Sequence, residues 1–314
     1  MPLYRALVLA IVQSLTEFLP ISSTAHLALA PWLLGWKDPG LAFDIALHLG
    51  TVVALLAYFF RDWLQLASQA LRLPWFRRDP ELEANPNLLW LLAAATVPVG
   101  VAGYLFKSYA EQSWREPLLM GIMLIGIGLL MGWADRRSSG RRDLGGIRLA
   151  DALAIGLAQA TAIVPGVSRS GITITAALLR NFGRPAAARF SFLLSTPALL
   201  GAALKEWLDM ARSGGIPEDM RVAFLAGTLA SALTGWLVIA FFLRFLRRHT
   251  LRIFVYYRLI FGIIIIALAL TALRHHAHGG GGNDSALAHW RAGRVCPAHL
   301  RVTDLAELGL LPSR

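Results

Sequence analysis

Four apolar segments of this chain are too short to cross a bilayer, and they fall in two pairs, each joined by a polar turn that carries a proline. A helix needs about 20 apolar residues to cross a hydrocarbon core ~30 Å thick. Leu3 to Leu19, ending at Pro20, is followed by Ser23 to Leu34, and Leu149 to Val164, ending at Pro165, is followed by Ser170 to Leu179. A helical pair this short enters the membrane and returns to the side it came from. Irregular backbone at such depth is tolerated only where protein or a water-filled cavity satisfies it, so other helices must enclose both hairpins. Six stretches are long enough to do so: Ala42 to Phe60, Leu88 to Phe106, Pro117 to Trp133, Ala187 to Leu204, Val222 to Leu243 and Ile253 to Leu273. The fold class predicted is an all-α integral membrane protein. Composition agrees, because 16% of the residues are charged where a soluble domain carries about 25%.

The order of hairpin and then three spans occurs twice. The offset 159 − 13 = 146 places Gln13 on Gln159, and the same offset places Ser22 on Ser168, Thr24 on Ser170 and Ala25 on Gly171. The chain is read as two repeats, residues 1–134 and 149–274, joined by a cytoplasmic loop over 135–148 and forming a single membrane domain. Three spans per half is an odd number, so the repeats have inverted topology and the hairpins approach the midplane from opposite faces. About twice as many Lys and Arg residues fall on the side of Arg72, Arg136, Arg142, Arg180 and Arg247 as on the side of Arg5, Lys107, Lys205 and Arg221. The richer side is predicted to be cytoplasmic. Both termini and the mouth of the first hairpin then face outward.

The formal charge of +11 is accounted for by these short basic runs between apolar stretches, and nucleic acid is excluded as a partner. The lone Cys296 excludes an internal disulfide framework. Glu17 interrupts what would be the apolar region of a signal peptide, so the N-terminus is expected to belong to the mature fold. After Leu273 the sequence turns to His275, His276 and His278, a run of glycines and mixed polar residues, read as a flexible tail over 275–314.

The chemistry sits in the hairpins. The first reads Gln13-Ser-Leu-Thr-Glu17-Phe-Leu-Pro20-Ile-Ser22-Ser23-Thr24-Ala25-His26. An ionisable group in an apolar helix costs about 2.5–3.5 kcal/mol on the insertion scale, so Glu17 needs a partner, a cation or water. Gln13 and Glu17 are one helical turn apart and can offer oxygens to a shared target. The second hairpin reads Gln159-Ala-Thr-Ala-Ile-Val-Pro165-Gly166-Val-Ser168-Arg169-Ser170-Gly171. A helix starting near Ser170 brings free backbone N–H groups, the hydroxyls of Ser168 and Ser170 and a guanidinium to one place, which suits an anion. Gly166 and Gly171 are expected to let a phosphate approach the backbone. The plainer alternatives are hydroxyls that cap helices and an Arg169 that snorkels to the headgroups.

These motifs together resemble the undecaprenyl-diphosphate phosphatases of the bacitracin-resistance family, over about Leu3 to Leu273. The resemblance rests on Gln-x-x-Thr-Glu-Phe-Leu-Pro-Ile-Ser-Ser-Thr-Ala-His and on Pro-Gly-Val-Ser-Arg-Ser-Gly. It implies a multi-pass inner-membrane hydrolase that removes the terminal phosphate of undecaprenyl diphosphate, recycling the cell-wall lipid carrier and conferring bacitracin resistance. Its acidic pair falls on Gln13 and Glu17, and its serine, histidine and arginine on Ser23, His26 and Arg169. It also implies a divalent cation, Mg²⁺ or Ca²⁺, near Glu17 and Gln13. Gln13 stands where some relatives have Glu, and Ala25 where Gly is common.

The mechanism expected has Ser23 attacking the terminal phosphorus and His26 handling its proton, with Ser22, Thr24, Ser168, Ser170, Gly166 and Gly171 around the substrate. A metal-activated water is the competing nucleophile. Asp44 and His48, one turn apart, are supporting candidates, and the family often carries an acid at the Asp44 position. Arg258, inside the last span, is read as structural, and Thr173 and Thr175 as bonded within their own helix. The site is expected to open to the periplasm, and homodimer formation is left open. The rival reading is a transporter or flippase of the polyprenyl phosphate, because inverted repeats with broken helices also build transporters.

Overall fold

A computed structural model describes residues 1–34, 36, 41–73, 79–112, 114, 116–212 and 215–278. Among them the regular elements are helices: α1 Leu3–Phe18, α2 Ser23–Leu33, α3 Leu41–Tyr58, α4 Phe60–Ala70, α5 Pro80–Glu83, α6 Leu88–Gln112, α7 Pro117–Arg137, α8 Leu149–Ala160, α9 Arg169–Leu179, α10 Arg184–Arg212, α11 Arg221–Leu246 and α12 Arg252–His278. Five of these, α6, α7, α10, α11 and α12, contain stretches long and apolar enough to span, and α3 with α4 makes a sixth if the bent pair is one span. The chain is an all-α integral membrane protein. The tail beyond residue 278 lies outside the described residues.

The first expected span stops at Phe59, where the helix turns by 65° into α4. Arg61, Asp62, Gln65 and Ser68 mark one side of α4 and Trp63 and Leu66 another, so a straight continuation would carry two charges into hydrocarbon. The bend instead brings Asp62 to Arg189 of α10, at 2.7 Å, and the same guanidinium lies 2.7 Å from Asp79. Two further ion clusters bind the arginine-rich loops. The buried Asp151 at the start of α8 takes hydrogen bonds from Arg142 and Arg180, and Asp135 at the end of α7 takes one from Arg184 and one from the Leu251 amide.

The paired helices recur at the expected offset. α1 and α2 begin at 3 and 23, α8 and α9 at 149 and 169, so 149 − 3 and 169 − 23 both equal 146. α1 packs along α11 as α8 packs along α6. Small residues permit these close approaches. A Cβ on Gly156 would lie 2.3 Å from the Ala95 carbonyl oxygen of α6, and one on Gly235 of α11 would lie 2.8 Å from the Phe18 ring. Ser14 Oγ donates to the Ser231 carbonyl at 2.8 Å, and Ser231 Oγ to that of Leu47 at 2.9 Å, so a buried hydroxyl seam ties α1, α11 and α3. α7 and α12 meet at Gly121 and Gly262, the small-residue contact that helices use where no hydrophobic effect drives them together. Leu229, Leu233, Ile260 and Ile263 stand exposed on the outer surface, as lipid-facing side chains do.

Candidate active site

Pro20 cannot continue α1, and the chain passes through Ser22, at φ 78°, before α2 starts at Ser23. The second hairpin repeats the device 146 residues later: Ser168, at φ 69°, precedes α9 and accepts a hydrogen bond from the Gly171 amide. Both serines hold a left-handed conformation that a side chain disfavours. Such strain persists only where the surroundings enforce it.

Arg258 supplies much of that enforcement. It is fully buried on α12 and donates to the Pro20 carbonyl of the first tip at 3.1 Å and to the Gly166 and Val167 carbonyls of the second, each at 3.1 Å. Its remaining bonds reach Leu124 and Met123 of α7. Five carbonyl dipoles thus hold the guanidinium, and the two hairpins are stitched through one side chain. Ser170 adds a direct stitch, its hydroxyl donating to the main-chain oxygens of Glu17 and Leu19 at 3.2 and 3.3 Å.

Glu17, one residue before the end of α1, lies at the junction. Its Oε2 accepts from Ser23 Oγ at 2.7 Å and from Gln13 Nε2 at 3.4 Å. Its Oε1 stands 4.0 Å from Arg169 Nη2, a charge contact rather than a hydrogen bond. The carboxylate side chain is 7% exposed and the guanidinium 26%, so the pair borders an accessible space without being solvated freely. Four polar atoms of this cluster's side chains and their repeat mates are buried without a partner: Gln13 Oε1, Arg169 Nη1 and both Nε2 and Oε1 of Gln159. An orphan oxygen beside a carboxylate and an orphan N–H on a guanidinium are complementary to a cation and an anion respectively. Among the described residues no group of three or more His, Cys, Asp or Glu side chains is placed to hold a metal. One carboxylate and one amide oxygen fit a hard cation that completes its shell with water and phosphate, and do not amount to an all-protein cage.

The structure thus brings Gln13, Glu17, Ser23, Arg169, Ser168 and Ser170 together, and it gives His26, the two glycines and the Ser170 hydroxyl partners of their own within the protein. His26 does not face Ser23: its Nδ1 is bonded to the Ser22 carbonyl at 2.7 Å, its Nε2 to Tyr257 Oη at 2.6 Å, and its ring stacks on Phe261 at 4.2 Å. The Ser23 proton points instead to Glu17. The two glycines are packed against protein in the direction a side chain would take. A Cβ on Gly166, at φ 94°, would meet the Met120 main chain at 2.6 Å, and one on Gly171 would meet Arg258 Nη1 at 3.1 Å, so both make room for neighbouring protein. The Ser170 hydroxyl is engaged by the first hairpin, which leaves its amide rather than its side chain for an anion.

Other residues fall where their local chemistry sends them. Thr24 is exposed and Ser22 buried. Ala25 lies inside α2, fully buried, so no positive φ is needed there. His48 donates from Nδ1 to the Asp44 carbonyl oxygen at 2.8 Å, so that ring bonds backbone one turn back. Thr173 and Thr175 bond to carbonyls of their own helix, Arg169 and Gly171, as expected. Sequence reasoning missed Tyr257 and Phe261. Their signal was a Tyr-Arg pair and a ring one turn on, in a span where Arg258 already demanded an explanation.

Known proteins resemble this chain over most of its length. The family model described as bacitracin resistance protein BacA matches residues 6–264. A protein of Pelotomaculum thermopropionicum named undecaprenyl-diphosphatase is 47% identical over 269 residues, 86% of this chain and 97% of its own. Others of the same name, from Desulforudis audaxviator and Thermomicrobium roseum, are 48% and 44% identical over 85% and 87% of this chain and 98% and 100% of theirs. With both hairpin motifs inside the matched region, the chain belongs to the BacA family of bacitracin resistance proteins.

Proposed function

We infer that this chain is an undecaprenyl-diphosphatase of the membrane. It cleaves the phosphoric anhydride of undecaprenyl diphosphate, releasing inorganic phosphate and returning undecaprenyl phosphate, and so confers bacitracin resistance. The observation that carries the reading is the meeting of Glu17 and Ser23 with Arg169 across two hairpins held by Arg258. Relatives with that name match nearly their whole length.

Phosphoryl transfer needs positioning and charge stabilisation more than covalent chemistry. Arg169 and the first free amides of α9 bind the terminal phosphate. Glu17 and Gln13 are the residues that would hold Mg²⁺ or Ca²⁺, which when bound neutralises charge on the diphosphate. Ser23 attacks the terminal phosphorus as its proton passes to Glu17 Oε2, already its hydrogen-bond partner, and the anhydride oxygen leaves on the lipid monophosphate. Water then cleaves the phosphoserine. A serine hydroxyl is a poor nucleophile until a base takes its proton, and Glu17 is the base within reach. The site opens to the periplasm of the inner membrane by the basic-loop asymmetry, the two halves being inserted in opposite senses. Gln13, Glu17, Ser23 and Arg169 come from one chain, so a homodimer is not needed to complete the site.

Purified protein in detergent should release phosphate from undecaprenyl diphosphate, stop on addition of a chelator, and trap labelled phosphate on Ser23. Turnover by Ser23→Ala with ¹⁸O from water in the phosphate would move the nucleophile to water. The repeated hairpins favour, as a second reading, movement of the lipid phosphate across the bilayer. A protein of that kind releases no phosphate in detergent.

A further inference from the structure

We propose that Tyr257 is a positioning residue of the phosphatase site, which acts by holding the His26 ring in a single orientation. The proposal rests on the phosphatase reading above and adds to that site His26, which no step of the mechanism given there uses. Its basis is hydrogen-bond arithmetic. His26 Nδ1 lies 2.7 Å from the Ser22 carbonyl oxygen, which can only accept, so Nδ1 carries the proton. In the neutral ring Nε2 is then bare and must accept, and the donor 2.6 Å away is the Tyr257 hydroxyl. Both nitrogens are thereby assigned without reference to substrate.

The surroundings make this arrangement rigid. Tyr257 and Phe261 are one turn apart on α12 and present a shelf to the imidazole, with ring planes 15° and 18° from parallel. The residue after Tyr257 is Arg258, whose bonds to Pro20, Gly166 and Val167 fix the register of α12 against both tips. The shelf is therefore placed relative to the hairpin junction by the same side chain that closes the junction. The first hairpin contributes Ser22 from its strained turn, so the tautomer depends on the φ 78° conformation and the orientation of the ring on α12. His26 consequently cannot take the Ser23 proton directly in this state. Its single lone pair faces Tyr257, and any exchange with a bound phosphate passes at the Nε2 side, where the phenol stands. A tyrosine placed only for packing would need no hydroxyl there.

Two measurements test this. ¹⁵N-histidine spectra of the full-length protein in detergent, with His26 assigned by its loss in His26→Gln, should show a protonated Nδ1 and a bare Nε2. Tyr257→Phe keeps the ring and removes the donor. It should fold and unfold thermally as the wild type does, keep the Nδ1–H tautomer set by Ser22 while shifting the His26 Nε2 resonance as its donor is lost, and lower kcat on farnesyl diphosphate about tenfold, a small part of what a general acid–base group supplies, with KM within about twofold. Phe261→Leu, which alters the stack and spares the hydroxyl, should leave the tautomer unchanged. An Nε2–H or doubly protonated His26 in the wild type, or a Tyr257→Phe enzyme with unchanged kcat or with a loss confined to KM, overturns the proposal. Absence of phosphate release by the wild type would instead overturn the functional reading, leaving the tautomer result intact.

Discussion

Replacing Arg258 by Met keeps the length and apolar stem of the side chain and deletes every bond it makes. The carbonyls of Leu124 and Met123 belong to α7, so the bonds that matter are those to Pro20, Gly166 and Val167. A hydrogen bond from a charged donor contributes about 1.5–3 kcal/mol net, or about 4.5–9 kcal/mol for three. Burying the guanidinium offsets several kcal/mol of that, which leaves a loss of about 3 kcal/mol. In a chain of this size that lowers Tm by about 6–12 °C, measurable by thermal unfolding in detergent. Phosphate release should fall further than stability, because the tips part first and Arg169 leaves Glu17. Arg258→Lys should lie between the two, since an ammonium cannot reach both tips with a planar fork. A Met variant with the melting temperature and turnover of the wild type would refute the reasoning.

Arg169→Lys should cost at least about tenfold in kcat/KM with little change in Tm, because a point charge cannot reproduce the guanidinium fork on phosphate; wild-type kinetics would count against it. Asp151→Asn should lower Tm without changing KM, and by the same amount at pH 5 and pH 8. Burial alone would raise the Asp151 carboxyl, but the hydrogen bonds from Arg142 and Arg180 outweigh it and hold the pKa at about 2. A depressed pKa means that the stabilisation is complete above the unfolded value near 3.8 and is lost only as pH falls through about 2. A Tm difference that disappears at pH 5 would contradict this. Gly156→Ala should destabilise by about 1–3 kcal/mol, because the added methyl meets the Ala95 backbone at 2.3 Å and backbone cannot swing aside; a neutral result would mean that α8 and α6 are not packed as described.

The hairpins were legible because membranes punish the features that define them. Proline ends a helix, and a carboxylate or guanidinium in hydrocarbon needs a partner, so Glu17 and Arg169 pointed toward each other before any coordinates. The offset of 146 could be read from Gln13 and Gln159 for the same reason, polar residues being scarce in such segments. Side-chain direction was not legible. Whether His26 turned toward Ser23 or away was decided by Tyr257, 231 residues later, and no local pattern carries that information. Gly166 and Gly171 show a related limit: composition gives the space a glycine leaves but not what fills it, here Met120 and Arg258. The end of the first span near Phe59 is readable from the charges of Arg61 and Asp62, which close the apolar stretch at Phe60 but do not say that the chain goes on as a second, bent helix.

The claim on which the account depends is that Glu17 and Arg169, from different halves of the chain, act on one diphosphate. A double-mutant cycle on phosphate release from undecaprenyl diphosphate, using Glu17→Gln, Arg169→Gln and the pair, measures this directly. The account predicts strong coupling, with the double variant scarcely slower than the worse single one. Losses that simply multiply would place the two residues in separate sites and contradict it.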